Sequence, residues 1–229
     1  MIFPISTLNA QFKRFAPYTG IISVWGDFGV GKTTFALQTA MNSTKNDGKS
    51  IFIYSKPNFP FEKIHEILKD PIEQLEKITF IQLESFNDLY KIVFNLEFLI
   101  LTNLDKKIDK YKFIVIDSLT DLYRLELNRE KKEMNYNLNY NLNQILATLT
   151  YLIQAYNINI LIVNEKVNRR IDEEIIEVQS GGKVMDYWVL LDIKIERTES
   201  LSKRKFILTN HPENFRFKFN SKLTKSGFQ

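Results

Sequence analysis

The segment Ile21-Ile-Ser-Val-Trp-Gly-Asp-Phe-Gly-Val-Gly-Lys-Thr33 contains the strongest structural signal in this 229-residue chain. Its first five residues form a short apolar run that stops at a glycine, which is typical of a buried strand. From Lys32 onward the apolar residues recur at helical spacing, as Phe35, Leu37 and Ala40 show. The segment therefore predicts a strand, a tight glycine-rich loop and a helix.

The loop in this segment matches the Walker A pattern, in which a glycine and four further residues precede Gly-Lys-Thr. Glycines allow positive φ, so that successive amide groups can converge on a phosphate, and the positive end of the next helix adds to this attraction. Lys32 supplies a cation for the β and γ phosphates, and the Thr33 hydroxyl is the expected Mg²⁺ ligand. The predicted ATP-binding residues are Gly26, Asp27, Phe28, Gly29, Val30, Gly31, Lys32, Thr33 and Thr34.

A second motif, Lys112-Phe-Ile-Val-Ile-Asp117, places a carboxylate after four apolar residues. This arrangement is typical of a Walker B strand, whose terminal aspartate holds Mg²⁺. We expect Asp117 to act on the metal through a water molecule. Alternatively, Asp117 caps the helix that follows.

Short apolar runs suggest further strands at residues 51–54, 78–81, 113–117, 158–163, 189–197 and 204–208. Helices are predicted at residues 32–43, 60–69 and 86–101, and over a long amphipathic stretch that ends near Tyr156. Most strands are apolar without interruption, which favours a mostly parallel α/β sheet flanked by helices on both faces. The last strands follow each other closely and predict an antiparallel extension at the C-terminal edge. Residues 135–143 alternate Asn with Tyr or Leu, and we interpret them as a frayed helix start or a mobile loop.

The amino-acid composition excludes some classes of protein. Hydrophobic residues make up 44% of the chain and charged residues 25%, as in ordinary globular domains, and cysteine is absent. A disulfide-stapled secreted protein and a thiolate zinc site are therefore excluded. The sequence shows neither an export signal nor a long apolar run, so we expect a cytoplasmic protein. No linker divides it, and we expect one domain over residues 1–229, with an N-terminal segment at 1–20 and edge strands at 189–229.

The positive charge is concentrated near the C-terminus. The whole chain has a net charge of +4, yet eight basic residues follow residue 196, against two glutamates. One interpretation is a solvated sheet edge whose lysines prevent edge-to-edge pairing, and the other is an anion-binding surface. The basic residues are Arg197, Lys203, Arg204, Lys205, Arg216, Lys218, Lys222 and Lys225.

Four segments in order resemble the ATPase core of the RecA/RadA recombinases. They begin with Trp25-Gly-Asp-Phe-Gly-Val-Gly-Lys-Thr-Thr-Phe-Ala-Leu-Gln38 and continue with Val115-Ile-Asp-Ser-Leu-Thr-Asp-Leu-Tyr-Arg-Leu-Glu-Leu127, Val163-Asn-Glu165 and Ser180-Gly-Gly182. The second segment is most similar to the RadB group of short archaeal recombinase paralogues. The resemblance implies a RecA-like P-loop fold, the cofactors ATP and Mg²⁺, single-stranded DNA binding, a RadA-type recombinase or other repair protein as partner, and a role in homologous recombination and DNA repair.

Two positions depart from the family pattern. Matching Phe59 and Glu62 to the family places Lys56 where active members have the glutamate that activates water, and a lysine cannot accept that proton near neutral pH. Glu165 stands where the family has the glutamine of an Asn-Gln pair that senses the γ phosphate. A salt bridge between Glu165 and Lys56 can neutralise this extra charge, or Glu165 can act as the base. We therefore name Lys32 and Glu165 as the catalytic candidates and expect slow or negligible ATP hydrolysis.

Two loops contact DNA in this family, and both positions exist here. The first comprises residues 128–143, where Arg129, Lys131 and Lys132 precede Tyr136 and Tyr140. These residues either bind phosphates and stack on bases, or form a solvated helix whose tyrosines pack on the core. The second loop comprises residues 166–179, and its candidates for DNA binding are Lys166, Arg169 and Arg170.

Two other functions remain open from the sequence. One is an active ATPase of the same superfamily, clock-like or helicase-like, with Glu165 or Glu62 as its base. The other is a protein that has lost nucleotide binding and only docks on a full recombinase.

Overall fold

A computed structural model describes residues 1–14, 20–45, 48–57, 61–67, 72–102, 110–128, 130–171, 173–210 and 215–229. Its helices are α1 (Ser6–Arg14), α2 (Lys32–Thr44), α3 (Phe61–Ile67), α4 (Ile72–Glu76), α5 (Phe86–Leu101), α6 (Asp121–Glu126), α7 (Tyr136–Tyr156) and α8 (Gly182–Trp188). Its strands are β1 (Ile21–Gly26), β2 (Gly48–Tyr54), β3 (Ile78–Gln82), β4 (Lys110–Asp117), β5 (Asn159–Ile171), β6 (Glu174–Gln179), β7 (Val189–Arg197), β8 (Lys203–Asn210), β9 (Phe215–Thr224) and β10 (Gly227–Phe228).

The strands form one sheet in the order β10-β9-β8-β7-β1-β5-β4-β2-β3, and β6 pairs with β5. All neighbours from β7 to β3 are parallel, whereas β8, β9 and β10 extend the sheet antiparallel. The predicted α/β class with an antiparallel C-terminal edge is confirmed. Because the carboxyl ends of parallel strands meet at one edge, β1, β2 and β4 bring their last residues together, next to Val163 and Glu165 of the longer strand β5.

Each face of the sheet has its own hydrophobic core. Phe113 and Val115 of β4 belong to the core that includes α1 and α2, whereas Ile114 and Ile116 belong to the core beneath α5 and α7. Alternate residues of a strand point to opposite faces, so both faces require apolar residues. This explains why the strand segments are apolar without alternation.

Residues 135–143 are more regular than the sequence suggested. A 3₁₀ turn at Lys132–Asn135 leads directly into α7, so the segment begins a helix as the first interpretation had it, and the alternative of a mobile loop is wrong. Asn139 and Asn143 lie one turn apart, and their side chains accept hydrogen bonds from Tyr123 Oη at 2.6 Å and Trp188 Nε1 at 2.8 Å. These bonds join α7 to α6 and α8, a long-range stabilisation that local periodicity does not reveal.

The end of the chain packs against the helix that follows the glycine-rich loop. The Phe228 ring contacts Phe35 of α2 edge-on, with ring centroids 6.0 Å apart, and its amide donates a 2.8 Å hydrogen bond to Gln38 Oε1. The Phe206 ring of β8 stacks on Phe219 of β9 at 5.1 Å. The antiparallel strands are therefore attached to α2 by aromatic packing. Within the described ranges, no helix is both long and apolar enough to cross a membrane.

Candidate nucleotide-binding site

The glycine-rich loop connects β1 to α2 and has the predicted backbone geometry. Gly26, Gly29 and Gly31 have φ angles of 152°, 76° and 103°. Gly31 precedes α2 as its N-cap and no side chain caps the helix there, which leaves the first-turn amides available to an anion. Phe28, at the tip of the loop, is 81% exposed.

Lys32 lies inside the curve of this loop. Its ammonium group donates hydrogen bonds to the carbonyl oxygens of Gly26 and Asp27, at 2.9 and 2.8 Å, and its side chain is only 4% exposed. The same group forms a 2.9 Å ion pair with Glu165 Oε2. The loop therefore holds the lysine in a defined position, and a carboxylate from β5 already contacts it.

A cleft of about 490 Å³ opens over the loop. It brings together most of the predicted site with parts of the C-terminal strands that the sequence did not assign to it. Its lining residues are Phe28, Gly29, Gly31, Lys32, Thr33, Thr34, Lys56, Glu165, Leu201, Arg204, Leu223, Thr224 and Lys225.

Two arginines of the basic C-terminal segment donate hydrogen bonds to carbonyl oxygens of the glycine-rich loop. Arg197 Nη2 donates to the Phe28 carbonyl at 2.9 Å, and Arg204 Nε donates to the Val30 carbonyl at 3.2 Å. The concentration of charge after residue 196 was the available signal, but it could not indicate which basic residues reach the loop. Part of this segment therefore supports the glycine-rich loop, in addition to any role as a sheet edge.

Asp117 ends β4 beside the cleft and is fully buried. Neither of its carboxylate oxygens has a hydrogen-bond partner of ordinary geometry among the described residues. Burial raises the pKa of Asp117, and the Lys56 ammonium and the nearby Thr33 hydroxyl act in the opposite direction. The alternative role as a helix cap is wrong, because the Asp121 amide at the start of α6 donates to Ser118 Oγ at 3.1 Å.

The oxygens of Thr33 and Asp117 are donors of the kind that Mg²⁺ prefers, and two unpartnered buried oxygens suit the water shell of an ion. The positive charge beside these oxygens, however, does not suit a metal ion. The Lys56 ammonium lies 3.9 Å from Asp117 Oδ1, and a divalent cation at the same carboxylate would face that positive charge. With Lys56 in this position the site does not fit a metal ion.

Glu165 forms its ion pair with a different residue from the one that we expected. It lies on β5 opposite Gly26 of β1, and this register directs it to Lys32. The suggested salt bridge between Glu165 and Lys56 is therefore wrong, because Lys56 pairs with Asp117 instead. Glu62, the other carboxylate considered as a base, is exposed on α3 and does not line the cleft.

Asn164, the neighbour of Glu165, is fully buried in a polar network. Its side chain accepts a 3.0 Å hydrogen bond from Thr120 Oγ1 and donates a 3.2 Å bond to Gln179 Oε1. Gln179 Oε1 also accepts from Ser23 Oγ at 2.6 Å. The network joins the end of β6 to β1 and β5, directly behind the glycine-rich loop.

The Rad51 family profile matches residues 16–193, which is more than half of the chain and includes the glycine-rich loop, Asp117 and Glu165. The chain belongs to the Rad51 family. A DNA repair and recombination protein RadB from Methanosphaera stadtmanae is 30% identical over 192 residues, covering 83% of this chain and 78% of that protein. A RadB protein from Methanococcus maripaludis is 30% identical over 208 residues, covering 86% and 87% respectively. The resemblance to RecA/RadA ATPase cores, and to RadB in particular, is confirmed.

The second loop that we expect to contact DNA, residues 166–179, is a β-hairpin formed by β5 and β6. Its Lys166 lies between Asp27 at 3.0 Å and Glu177 at 2.6 Å. Hydrogen bonds from Lys166 and Lys194 lower the pKa of Glu177 to about 2, so this carboxylate is charged at neutral pH. Arg169 pairs with Asp186 at 3.5 Å, and Arg170 lies opposite Ile175. Acidic partners thus neutralise Lys166 and Arg169.

The first loop that we expect to contact DNA, residues 128–143, comprises the turn before α7 and the first turns of that helix. Asn128 and Asn135 close this turn with reciprocal 2.8 Å hydrogen bonds, and Lys131 is exposed. Arg129 and the Lys132 side chain lie outside the described residues. Tyr136 and Tyr140 are 73% and 53% exposed on one side of α7, so the interpretation that they pack on the core is wrong.

Proposed function

We propose that this Rad51-family chain is a RadB-like recombinase paralogue that binds ATP and single-stranded DNA and assists homologous recombination and DNA repair in the cytoplasm, with a RadA-type recombinase or another repair protein as partner. Nucleotide occupancy is its switch, and hydrolysis is slow or negligible. The names of its relatives from Methanosphaera stadtmanae and Methanococcus maripaludis support the biological role.

One observation carries the proposal of ATP binding. A buried ammonium group, the amides after three glycines with positive φ and an uncapped helix start converge on one cleft. Such an arrangement favours a ligand with several adjacent negative charges. A chain that only docked on a recombinase would not require it.

Slow hydrolysis follows from the carboxylates at the site. In the described part of the chain, Glu165 is the only carboxylate that lines the cleft, and Lys32 holds it at 2.9 Å. This ion pair engages the one cleft carboxylate among the described residues that could activate an attacking water. Lys56 cannot accept a proton while it is charged. The site therefore favours a binding switch over a fast ATPase.

Glu165→Gln is expected to increase ATP affinity about tenfold, because it removes a negative charge that competes with phosphate for Lys32. The side chain keeps its size and can still accept a hydrogen bond from the ammonium. Isothermal titration calorimetry with ATP measures the change. Glu196→Gln is the control, since Glu196 pairs with Lys194 and Lys205 and does not line the cleft. Unchanged or weaker affinity in Glu165→Gln would show that Glu165 does not compete with the nucleotide.

DNA binding is assigned to the exposed tyrosines of α7 because, in the hairpin of the second loop, Lys166 and Arg169 are paired with carboxylates. Changing both Tyr136 and Tyr140 to alanine is expected to weaken single-stranded DNA binding about tenfold or more, since base stacking contributes about 1 to 3 kcal/mol per base. Fluorescence anisotropy of a labelled oligonucleotide, with and without a non-hydrolysable ATP analogue, measures the affinity.

Tyr151→Ala is the matched control, because Tyr151 is also exposed on α7 but lies near its opposite end. Equal affinities for the double variant and the wild type would remove the tyrosines from the interface. If the wild type does not bind DNA with or without the analogue, the DNA part of the proposed function is wrong.

A further inference from the structure

We propose that the Lys56 ammonium replaces the divalent cation of the phosphate site, so that this chain binds ATP without Mg²⁺. The inference rests on the proposed ATP binding and specifies what the ligand requires: a nucleoside triphosphate that binds whether or not it carries Mg²⁺.

The first support is the position of Lys56. A magnesium ion bound to Asp117 through one water would lie about 4 Å from the carboxylate oxygen, since the Mg–O distance is about 2.1 Å and the hydrogen bond about 2.7 Å. Lys56 Nζ lies 3.9 Å from Asp117 Oδ1. The ammonium therefore lies about as far from the Asp117 carboxylate as a magnesium ion bound through one water would.

The backbone fixes this position. Strand β2 pairs with β4 so that Tyr54 lies opposite Asp117, and the chain that leaves β2 passes the end of β4. The Ser55 amide donates to the Asp117 carbonyl at 2.9 Å, and the Ser118 amide donates to Ser55 Oγ at 2.9 Å. These two hydrogen bonds hold Ser55 against the end of β4. Lys56 is the next residue, so its side chain begins beside Asp117.

Exposure and charge provide the next support. Lys56 lines the cleft together with Lys32 and Thr33, and it keeps 29% of its side chain exposed. Its ammonium can thus face a phosphate while it neutralises Asp117, which is fully buried. Lys56 and Asp117 cancel in charge, as do Lys32 and Glu165, so these four groups need no metal ion for neutrality.

The test compares ATP affinity in buffer with Mg²⁺ and in buffer with EDTA, by isothermal titration calorimetry on the full chain. For the wild type we expect the two affinities to agree within about threefold. Lys56→Glu places a carboxylate beside Asp117, and Lys56→Gln removes the positive charge. Both variants are expected to bind about tenfold or more weakly in EDTA, and Mg²⁺ is expected to restore much of the loss.

Two variants serve as controls. Lys56→Arg keeps the charge and is expected to remain independent of Mg²⁺, and Lys56→Gln keeps the test valid if Lys56→Glu fails to fold. Lys91→Gln changes an exposed lysine of α5 outside the cleft and is expected to behave as the wild type.

The outcomes separate this inference from the proposed function. If the wild type binds ATP only with Mg²⁺, or if Lys56→Gln binds as well as the wild type in EDTA, the inference is overturned while ATP binding stands. If the wild type binds ATP in neither buffer, the proposed ATP binding fails, and the inference fails with it.

Discussion

Lys32→Ala is expected to weaken ATP binding about a hundredfold, since hydrogen bonds that involve a charged group contribute about 1.5 to 3 kcal/mol each. The carbonyl oxygens of Gly26 and Asp27 hold the ammonium in place before any ligand arrives, so little conformational freedom is lost on binding. Alanine also leaves the Glu165 carboxylate in the cleft without its 2.9 Å partner. Its negative charge would then repel the phosphates.

The double variant with Lys32→Ala and Glu165→Gln separates these two effects. We expect it to bind ATP about tenfold better than Lys32→Ala alone, because the unpaired carboxylate is gone. Lys45→Ala is the matched control, since Lys45 is exposed at the other end of α2. Calorimetric titration measures affinity, and a thermal melt confirms that each variant is folded. A folded Lys32→Ala protein with wild-type affinity would refute ATP binding at this loop.

Gly26→Ala is expected to lower the free energy of unfolding by about 4 kcal/mol, the sum of a backbone strain and a steric term. Gly26 has a φ of 152°, and a Cβ atom there would lie 2.2 Å from the Ile195 carbonyl oxygen. The parallel register of β1 and β7 places Gly26 opposite Ile195, so neither strand can move away without losing its pairing. The clash is with backbone, which a side-chain rotation cannot relieve.

Gly182→Ala provides the comparison for this variant. Gly182 also has a positive φ, of 62°, but nothing lies within 4 Å of a Cβ atom there. Only the backbone strain remains, and we expect a loss of about 1 kcal/mol. Urea denaturation of both variants measures the difference. Equal losses in the two variants would show that the contact with Ile195 does not limit residue 26.

The local parts of the site could be predicted from the sequence. The loop between β1 and α2 depends on glycines and a Lys-Thr pair within eight consecutive residues, so its conformation follows from their own φ preferences and spacing. The strand that ends in Asp117 was predicted for a similar reason, since an uninterrupted apolar run indicates burial on both faces. Helix α5 begins and ends where its apolar periodicity does.

The pairing of charges could not be predicted in this way. Glu165 contacts Lys32, 133 positions away, only because β5 lies next to β1 in a particular register. In the sequence, Lys56 stands where the family has a glutamate and Glu165 where it has a glutamine. A salt bridge between these two residues was one of two hypotheses. The sheet order places β4 between β2 and β5, so that Asp117 lies opposite the end of β2.

The sequence by itself determined a glycine-rich loop between a strand and a helix, a buried acidic strand end, a mostly parallel sheet and an antiparallel edge, because each depends on residues close together in the chain. The tertiary structure alone decided that Arg197 and Arg204 support the loop, that acidic partners neutralise Lys166, and that Tyr136 remains exposed. These features depend on contacts between distant segments. Strand order and register decide which of these segments meet, and the spacing of residues along the chain does not predict strand order or register.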